Sequence, residues 1–170
     1  VPWLRDLTDA CHEHGTAVMI QLTHLGRRTR WDKADWLPAV SASHHREASH
    51  RAFPKQAEDW DIERLIRDYA DAAERMHAAG LDGIELQAYG HLMDQFWSPL
   101  TNTLEAPYGG SLDNRMRYPL EVFDAVRALW PAHKPLAVRI SASDWMGDAG
   151  MTIEDSVVFA RELKARGVDL

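Results

Sequence analysis

Apolar residues recur along the chain in two alternating patterns, one with helical spacing and one typical of buried strands. Four segments carry apolar residues at helical spacing; they cover residues 3–14, 61–76, 111–129 and 152–166. Short apolar runs of strand length follow, without strict alternation, as in a parallel sheet covered on both faces; they cover residues 17–22, 83–87, 136–140 and, cut short, 168–170. The order α-β-α-β-α-β-α-β predicts right-handed crossover units around a parallel sheet.

Residues that begin and end helices support these boundaries. Asp61 is the predicted N-cap of the second helix, and Thr152 with Asp155 forms a capping-box pattern before the fourth. The third helix is expected to begin near Ser111 and to be strained or kinked at Pro119. The other helices are each followed by a glycine, in the position that favours a left-handed backbone; these are Gly15, Gly80 and Gly167.

Two α/β architectures have this order of elements, the doubly wound sheet and the (β/α)8 TIM barrel. The chain has 170 residues and begins without Met. A barrel usually needs about 250 residues, so we expect a partial barrel of about four βα units from a longer polypeptide.

The composition excludes several functions. With 45% apolar and 26% charged residues, the chain is a folded domain and not a disordered segment. A net charge of −7 argues against a nucleic-acid surface, and neither a secretion signal nor a membrane span of roughly 20 apolar residues is visible. The single cysteine, Cys11, permits no internal disulfide and no cysteine-based metal site. Small-molecule partners and a cytoplasmic location fit best.

The connections between elements differ in length according to their direction. Helix-to-strand links are tight, whereas strand-to-helix links are long; the long links cover residues 23–60, 88–110 and 141–151. Parallel sheets and barrels place their ligand sites at the carboxyl ends of the strands, where these long links lie. We therefore expect the functional site at that edge, and interpret the first link as functional because of its unusual length.

Each complete predicted strand carries a strong hydrogen-bonding residue near its carboxyl end. These residues are Gln21, Gln87 and Arg139. A buried guanidinium requires an anionic partner, so Arg139 is expected to meet an anionic ligand or Glu85 on the neighbouring strand, and position alone favours neither. Gln21 can offer a donor and an acceptor to a heterocyclic amide edge, or serve as a satisfied structural residue.

Other groups in the long links give weaker signals. His44, His45 and His50 match no standard zinc spacing, so no metal site is predicted. Gly109 and Gly110 are interpreted as turn residues, because no phosphate-binding glycine motif is present. Several tryptophans can either line a pocket or pack the long links against the rest of the protein. They are Trp31, Trp36, Trp60, Trp97 and Trp145.

Five ordered motifs resemble those of the old yellow enzyme family. They are QLTHLGR at 21–27, AGLDGIE at 79–85, DQFWSPLTN at 94–102, YGGSLDNR at 108–115 and VRIS at 138–141. The resemblance covers nearly the whole chain. It implies a TIM barrel that binds FMN at its carboxyl face and passes hydride from a nicotinamide or a substrate to the flavin and onward. Residues 1–170 would then be the central part of a single FMN-binding domain.

The resemblance also implies roles for individual residues. Gln21 matches the family glutamine that hydrogen-bonds the pyrimidine edge of the flavin. Arg139 matches the arginine beside flavin N1 and O2, whose charge stabilises the anionic reduced ring. The resemblance therefore favours a ligand over Glu85 as the partner of Arg139. Thr23 falls where many relatives place an aromatic or small residue near the flavin.

The segment after the second predicted strand departs from the common family pattern. Many relatives read His-x-x-His/Asn-Gly-Tyr there, with two donors to a substrate carbonyl and a tyrosine that protonates an alkene. This chain reads Gln-Ala-Tyr-Gly-His from Gln87 to His91. Aligned on residues 94–96, Tyr89 takes the position of the second donor and His91 that of the proton donor. Alkene reduction is therefore less expected than in most relatives.

The sequence of residues 89–99 is similar to those of one branch of the family. This branch contains trimethylamine dehydrogenase and the demethylases of dimethylglycine or N-methylproline. There a substrate C–H is oxidised by hydride transfer to FMN, and water hydrolyses the resulting iminium. The resemblance implies Tyr89 and His91 as catalytic residues and Gln87 and Trp97 as residues of the substrate pocket. Trp97 would face a substituted ammonium by cation–π attraction. NAD(P)H is a further candidate cofactor, and any 4Fe-4S cluster would belong to a missing C-terminal part.

Oxidative N-demethylation of a small methylated amine is thus the leading function, and NAD(P)H-dependent reduction of activated alkenes is the alternative. A flavin-free barrel lyase or aldolase would need a catalytic lysine near a strand end, and the lysines stand elsewhere. The segment alone is expected to be inactive and to bind FMN poorly, because the missing units leave one side of the site unbuilt. The full-length protein is expected to form a homo-oligomer.

Overall fold

A computed structural model of the protein describes residues 1–29, 38–49 and 53–170. Helices and strands alternate through most of these residues, as the hydrophobic pattern predicts. In chain order the elements are α1 (Pro2–His12), β1 (Met19–Leu22), β2 (Val40–Ser41), β3 (Lys55–Gln56), α2 (Asp59–Ala78), β4 (Gly83–Ala88), α3 (Leu92–Trp97), α4 (Leu112–Leu129), β5 (Leu136–Ile140) and α5 (Ile153–Ala165).

The main sheet contains three parallel strands in the order β1-β4-β5. In its register Gln21 lies beside Glu85, and Gln87 lies beside Arg139. The helix α2 connects β1 to β4, and α4 connects β4 to β5, so each connection is a crossover of the kind that parallel strands require. The predicted parallel α/β arrangement is confirmed.

The two faces of the sheet have different surroundings. Successive side chains of a strand point to opposite faces, and one set is buried under the helices; it includes Leu22, Ile84, Leu86, Ala88 and Leu136. On the opposite face Met19, Gln21 and Arg139 are exposed and Glu85 is partly exposed. Within these residues of a longer barrel, the helices cover one face of the sheet. We call the other the open face.

The helices α2 and α4 pack against each other and form the main cover of the sheet. Tyr118, Val122 and Phe123 of α4 are fully buried in this layer. The helix α4 continues through Pro119, which is itself buried, and ends at Leu129. No helix in the described ranges combines the length and the hydropathy needed to traverse a lipid bilayer.

One of the two predicted caps is confirmed. Thr152 Oγ1 accepts the Asp155 backbone N–H at 3.1 Å, as predicted. The helix α4 begins at its N-cap Ser111, where its start was expected. The N-cap of α2 is Glu58, so the prediction of Asp61 for this position is wrong. Asp61 instead lies inside the first turn, where its carboxylate accepts the Glu58 backbone N–H at 3.0 Å.

The glycines that end the helices have the predicted left-handed backbone, with φ of +69°, +89° and +88°; they are Gly15, Gly80 and Gly167. Residues 168–170 then run beside β5. The Val138 N–H donates to the Leu170 carbonyl at 2.9 Å, and the Asp169 N–H donates to the Leu136 carbonyl at 3.0 Å. These bonds are those of the expected short parallel strand.

The long links contain more structure than the sequence pattern predicts. The first holds a 3-10 turn at Gly26–Arg28 and the parallel pair β2–β3, and the second holds α3. Elements of two to six residues are too short to show a hydrophobic period, which explains why they were missed. The predicted loop residues Trp31, Trp36 and His50 lie outside the described residues.

Candidate functional site at the carboxyl edge of the sheet

A hydrogen-bonded row of polar side chains crosses the open face of the sheet. Gln21 Nε2 on β1 donates to Glu85 Oε1 on β4. Arg139 Nε on β5 donates to the same oxygen at 3.0 Å. The central carboxylate therefore connects the two side chains that the sequence assigns to cofactor binding.

The partner of Arg139 in this structure is Glu85. Of the two partners that position alone allowed, the structure shows the ion pair, although the resemblance favoured a ligand. The side chain of Arg139 is nevertheless 60% exposed. An ion pair this exposed adds little stability, and part of the guanidinium remains accessible from the open face.

Thr23 and Gln87 occupy different places near the row. Thr23 follows β1, is exposed and borders a small cavity against α2, about 100 Å³ in volume. Gln87 is buried at the end of β4, and its Nε2 donates to the Tyr89 carbonyl at 2.9 Å. Gln87 Oε1 is buried and has no hydrogen-bond partner among the described residues. A cofactor role for Thr23 and a pocket role for Gln87 stay predictions.

The turn after β4 brings the two predicted catalytic residues together. Gln87 fixes the Tyr89 carbonyl, Gly90 has a left-handed φ of +66°, and His91 is the N-cap of α3. Tyr89 is 55% exposed. Burial, and then the positive charge of Arg28, lowers the pKa of His91. The lowered pKa favours the neutral form of the His91 imidazole.

A cleft of about 390 Å³ lies at the carboxyl ends of β4 and β5. It is bordered by the 3-10 turn after β1, by the Tyr89–Gly90 turn and by the link after β5. Five of its twelve lining residues are charged; they are Arg27, Arg28, Glu47, Asp94 and Asp144. The cleft therefore lies at the edge where the long links predict the functional site.

Gln95 clamps the turn after β1 to α3. Its Oε1 accepts the Arg27 backbone N–H at 3.0 Å, and its Nε2 donates to the Leu25 carbonyl at 3.2 Å. Gly26 has a φ of +61°, and a Cβ there would lie 2.1 Å from Gln95 Oε1. The clamp was not predicted, although Gln95 stands in a family-like motif and could have been singled out on that signal.

Two carboxylates hold the links around the cleft. Asp94 Oδ1 accepts the Ser141 hydroxyl at 2.7 Å, and Asp94 also accepts the Gly90 backbone N–H. Burial raises the pKa of Asp94. Asp144 Oδ2 accepts the Ser98 hydroxyl at 3.1 Å. These bonds join the ends of β4 and β5, and sequence reasoning did not single out either carboxylate.

Trp97 does not lie in the cleft. Its side chain is fully buried and packs on Phe159 of α5, with 4.7 Å between the ring centroids. A ring without solvent access cannot face a substrate ammonium, so the structure corrects the predicted pocket role of Trp97. Trp145, by contrast, is 92% exposed and borders the cleft.

His24 anchors the start of the first long link. Its Nδ1 accepts the Gly26 backbone N–H at 3.0 Å, and its carbonyl accepts the Leu92 N–H at 3.0 Å. Its own backbone N–H donates to the Tyr69 hydroxyl at 2.9 Å. Burial, and then the charge of Arg64, lowers the pKa of His24. The neutral ring is therefore part of the folded structure.

We expect this histidine to make the fold sensitive to acid. Its pKa is lowered in the folded state, so below the ordinary value of 6.5 the unfolded chain binds more protons. Stability should therefore decrease as the pH falls through 6.5, and His24→Asn, whose side-chain oxygen can still accept the Gly26 N–H, should reduce that decrease. Urea denaturation at pH 5.5 and 7.5 measures it. An equal decrease in both proteins would contradict the assignment.

Histidines elsewhere do not assemble a metal site in the described ranges. No three His, Cys, Asp or Glu side chains lie close enough there to hold an ion. His44 Nδ1 lies 3.1 Å from the Pro54 carbonyl, an ordinary loop contact.

A parallel α/β sheet with a polar row on one face and a cleft at its carboxyl edge defines a segment of an enzyme barrel. The chain belongs to the NADH:flavin oxidoreductase / NADH oxidase family, whose profile matches residues 1–170. The resemblance to old yellow enzymes is thereby confirmed.

Several known proteins are similar to the chain. It is 60% identical over 168 residues to a probable N-methylproline demethylase of Rhizobium meliloti, covering 99% of this chain and 25% of that protein. It is 45% identical over 169 residues to an N,N-dimethylglycine/sarcosine dehydrogenase of Chromohalobacter salexigens, covering 99% of this chain and 24% of that protein. A structure of morphinone reductase with tetrahydroNAD superposes with a TM-score of 0.86 at 27% identity, covering 96% of this chain and 50% of that one.

These comparisons confirm the predicted fold class, a partial TIM barrel, and the predicted family. The chain spans about a quarter of the length of the demethylase and of the dehydrogenase.

Proposed function

We propose that the full-length protein is an FMN-dependent oxidoreductase that oxidatively N-demethylates a small methylated amine. The observation that carries the proposal is the turn after β4: Tyr89 is 55% exposed in the wall of the cleft, and His91 is the N-cap of α3. The name of one relative, a probable N-methylproline demethylase, supports the same reaction, and the name of the other, an N,N-dimethylglycine/sarcosine dehydrogenase, supports oxidation of a methylated amine. Residues 1–170 are then the central part of one FMN-binding barrel domain.

The polar row fits the edge of a flavin. Gln21 offers an amide that can both donate and accept, and Arg139 offers a partly exposed guanidinium. These two residues would hold the pyrimidine edge of FMN. Glu85, on the neighbouring strand, would hold the Arg139 side chain in position. When bound, FMN supplies the hydride acceptor. The positive charge of Arg139 favours the negative charge that the acceptor gains.

The task of the protein's own side chains is to remove the proton from the amine nitrogen. A methylated ammonium cannot release hydride from its methyl carbon until the nitrogen has lost its proton, because the lone pair forms the new C=N bond. Neutral His91 would accept that proton, and the Tyr89 hydroxyl would relay it, receiving the proton of the amine as it gives its own to the imidazole. Water then adds to the iminium carbon, and the carbon leaves as formaldehyde with the demethylated amine as second product.

Reduction of an activated alkene by NAD(P)H is the second candidate function. The likeness to morphinone reductase favours it. Against it, the turn lacks the first histidine and the tyrosine of the common pattern, and His91 takes the position of the proton donor.

Anaerobic mixing of the full-length, FMN-loaded protein separates the two functions. We expect N-methylproline or dimethylglycine to bleach the flavin absorbance, and NADPH followed by an enone to give little turnover. Bleaching by NADPH with rapid reoxidation by the enone, and none by the amines, would establish the reductase instead.

We further propose a cytoplasmic location, a homo-oligomeric state and no role in nucleic-acid binding. The single cysteine and the net charge of −7 support the first and the last. NAD(P)H is retained as a candidate second substrate, and a 4Fe-4S cluster, if the protein has one, would lie outside these residues. Light scattering after gel filtration of the full-length protein tests the oligomeric state.

A further inference from the structure

We infer that the substrate of the proposed demethylation is an N-methylated amino acid and that Arg28 binds its carboxylate. The inference rests on the proposed function, whose test amines N-methylproline and dimethylglycine already carry a carboxylate, and adds the residue that binds this group.

The position of Arg28 is set by the clamp on the turn after β1. Gln95 binds the backbone on both sides of Gly26, at Arg27 N–H and at the Leu25 carbonyl. Arg28 ends this 3-10 turn and points its side chain into the cleft wall. A site built on such a fixed turn holds its charge in one place, which is what selective binding of a small anion requires.

The guanidinium of Arg28 lies against the turn that carries the candidate catalytic residues. Its Nη1 is 3.5 Å from the Gly90 carbonyl, and its charge is one of the causes that lower the pKa of His91. An anionic group bound by Arg28 would therefore lie beside Tyr89 and His91. In an N-methylated α-amino acid one carbon separates the nitrogen from the carboxylate, so the methylated nitrogen would lie next to the same turn.

The existing contacts of Arg28 leave capacity for such an anion. Its Nε lies 3.8 Å from Glu47 Oε1, which is longer than a hydrogen bond, and its side chain is 41% exposed. A guanidinium carries five N–H donors in a planar fork that matches a carboxylate bidentately. Burial lowers the pKa of Arg27, the neighbouring arginine of the cleft, and its backbone is already held by Gln95.

The experiment compares two amines that differ only in the carboxylate, N-methylproline and N-methylpyrrolidine, in the full-length, FMN-loaded protein. We expect Arg28→Met to raise the apparent Kd for N-methylproline in anaerobic flavin bleaching by about 10- to 100-fold, the loss typical of a charge-assisted pair. The affinity for N-methylpyrrolidine should change less than about twofold, and Arg28→Lys should give an intermediate loss because the fork is lost while the charge remains.

A second measurement is independent of turnover. Calorimetric titration with tetrahydro-2-furoate, a carboxylate with no methylated nitrogen to oxidise, should show the same loss in Arg28→Met. Arg64→Met is the matched control, since Arg64 has a 42% exposed side chain on α2, does not line the cleft and should leave both affinities unchanged.

The outcomes distinguish a failure of the proposed role of Arg28 from a failure of the proposed demethylation. Equal losses for both amines, or no loss for N-methylproline and for the furoate, would overturn the role of Arg28. If neither amine bleaches the flavin of the unmodified protein, the proposed function fails, while the furoate titration still decides whether Arg28 binds a carboxylate.

Discussion

Tyr89→Phe should slow amine-dependent flavin reduction by about 10²- to 10⁴-fold in the full-length protein, the range expected when a positioned proton-transfer group is lost. The substitution removes only the hydroxyl. The Gln87 amide binds the backbone carbonyl of residue 89 and not its side chain, so the turn should keep its geometry. Single-turnover stopped-flow measurement of the bleaching rate at saturating amine separates this effect from a change in affinity.

The chain offers a matched control for that experiment. Tyr108 donates its hydroxyl to Glu121 Oε2 at 2.9 Å and does not line the cleft, so Tyr108→Phe should leave the bleaching rate within about twofold. A small effect of Tyr89→Phe together with a large effect of His91→Asn would show that the imidazole alone accepts the proton. Unchanged rates in both variants would remove this turn from the mechanism.

The framework of the fold could be predicted because its signals are local and repeated. The helix-ending glycines Gly15, Gly80 and Gly167 have the left-handed backbone that their positions indicate. Asp61 shows the limit of such signals. An acidic residue stabilises a helix start both as N-cap and within the first turn, and the sequence alone did not distinguish the two positions.

The site could be predicted only in part, because long-range pairing decides it. The strand ends that carry Gln21 and Arg139 were identified, and Glu85 was named as one possible partner of Arg139. That Gln21 binds the same carboxylate follows from the register between strands. The clamp by Gln95 and the bond from Ser141 to Asp94 join residues distant in sequence. The spacing of hydrophobic residues does not reveal such contacts. The family-like sequence motifs were therefore the only signal that pointed to these residues.

Trp97 shows why residue type is a weak guide to a pocket. Its neighbourhood in the sequence is rich in candidate chemistry, and an aromatic ring suits a methylated ammonium. The helix α3, however, turns this ring away from the cleft and onto Phe159 of α5. Its Nε1 is buried without a hydrogen-bond partner in the described part of the chain. A ring in that position contributes to packing and not to recognition.

Trp97→Ala should therefore lower the free energy of unfolding by about 3–5 kcal/mol, the cost of emptying a large aromatic site in a core. Trp97→Phe should cost less, because it keeps a ring against Phe159 and removes the unpaired indole N–H. Trp145→Ala is the control: Trp145 is 92% exposed, and its loss should change stability by less than about 0.5 kcal/mol. Urea denaturation followed by circular dichroism measures all three.

The same Trp97→Phe variant distinguishes packing from recognition. If the ring only packs, the Kd for N-methylproline in flavin bleaching should stay within about twofold of the unmodified protein while the urea midpoint falls, because the cleft lies outside the contact with Phe159. A tenfold weaker Kd with an unchanged midpoint, on the order of 1.4 kcal/mol of binding lost without loss of folding, would return Trp97 to the substrate pocket.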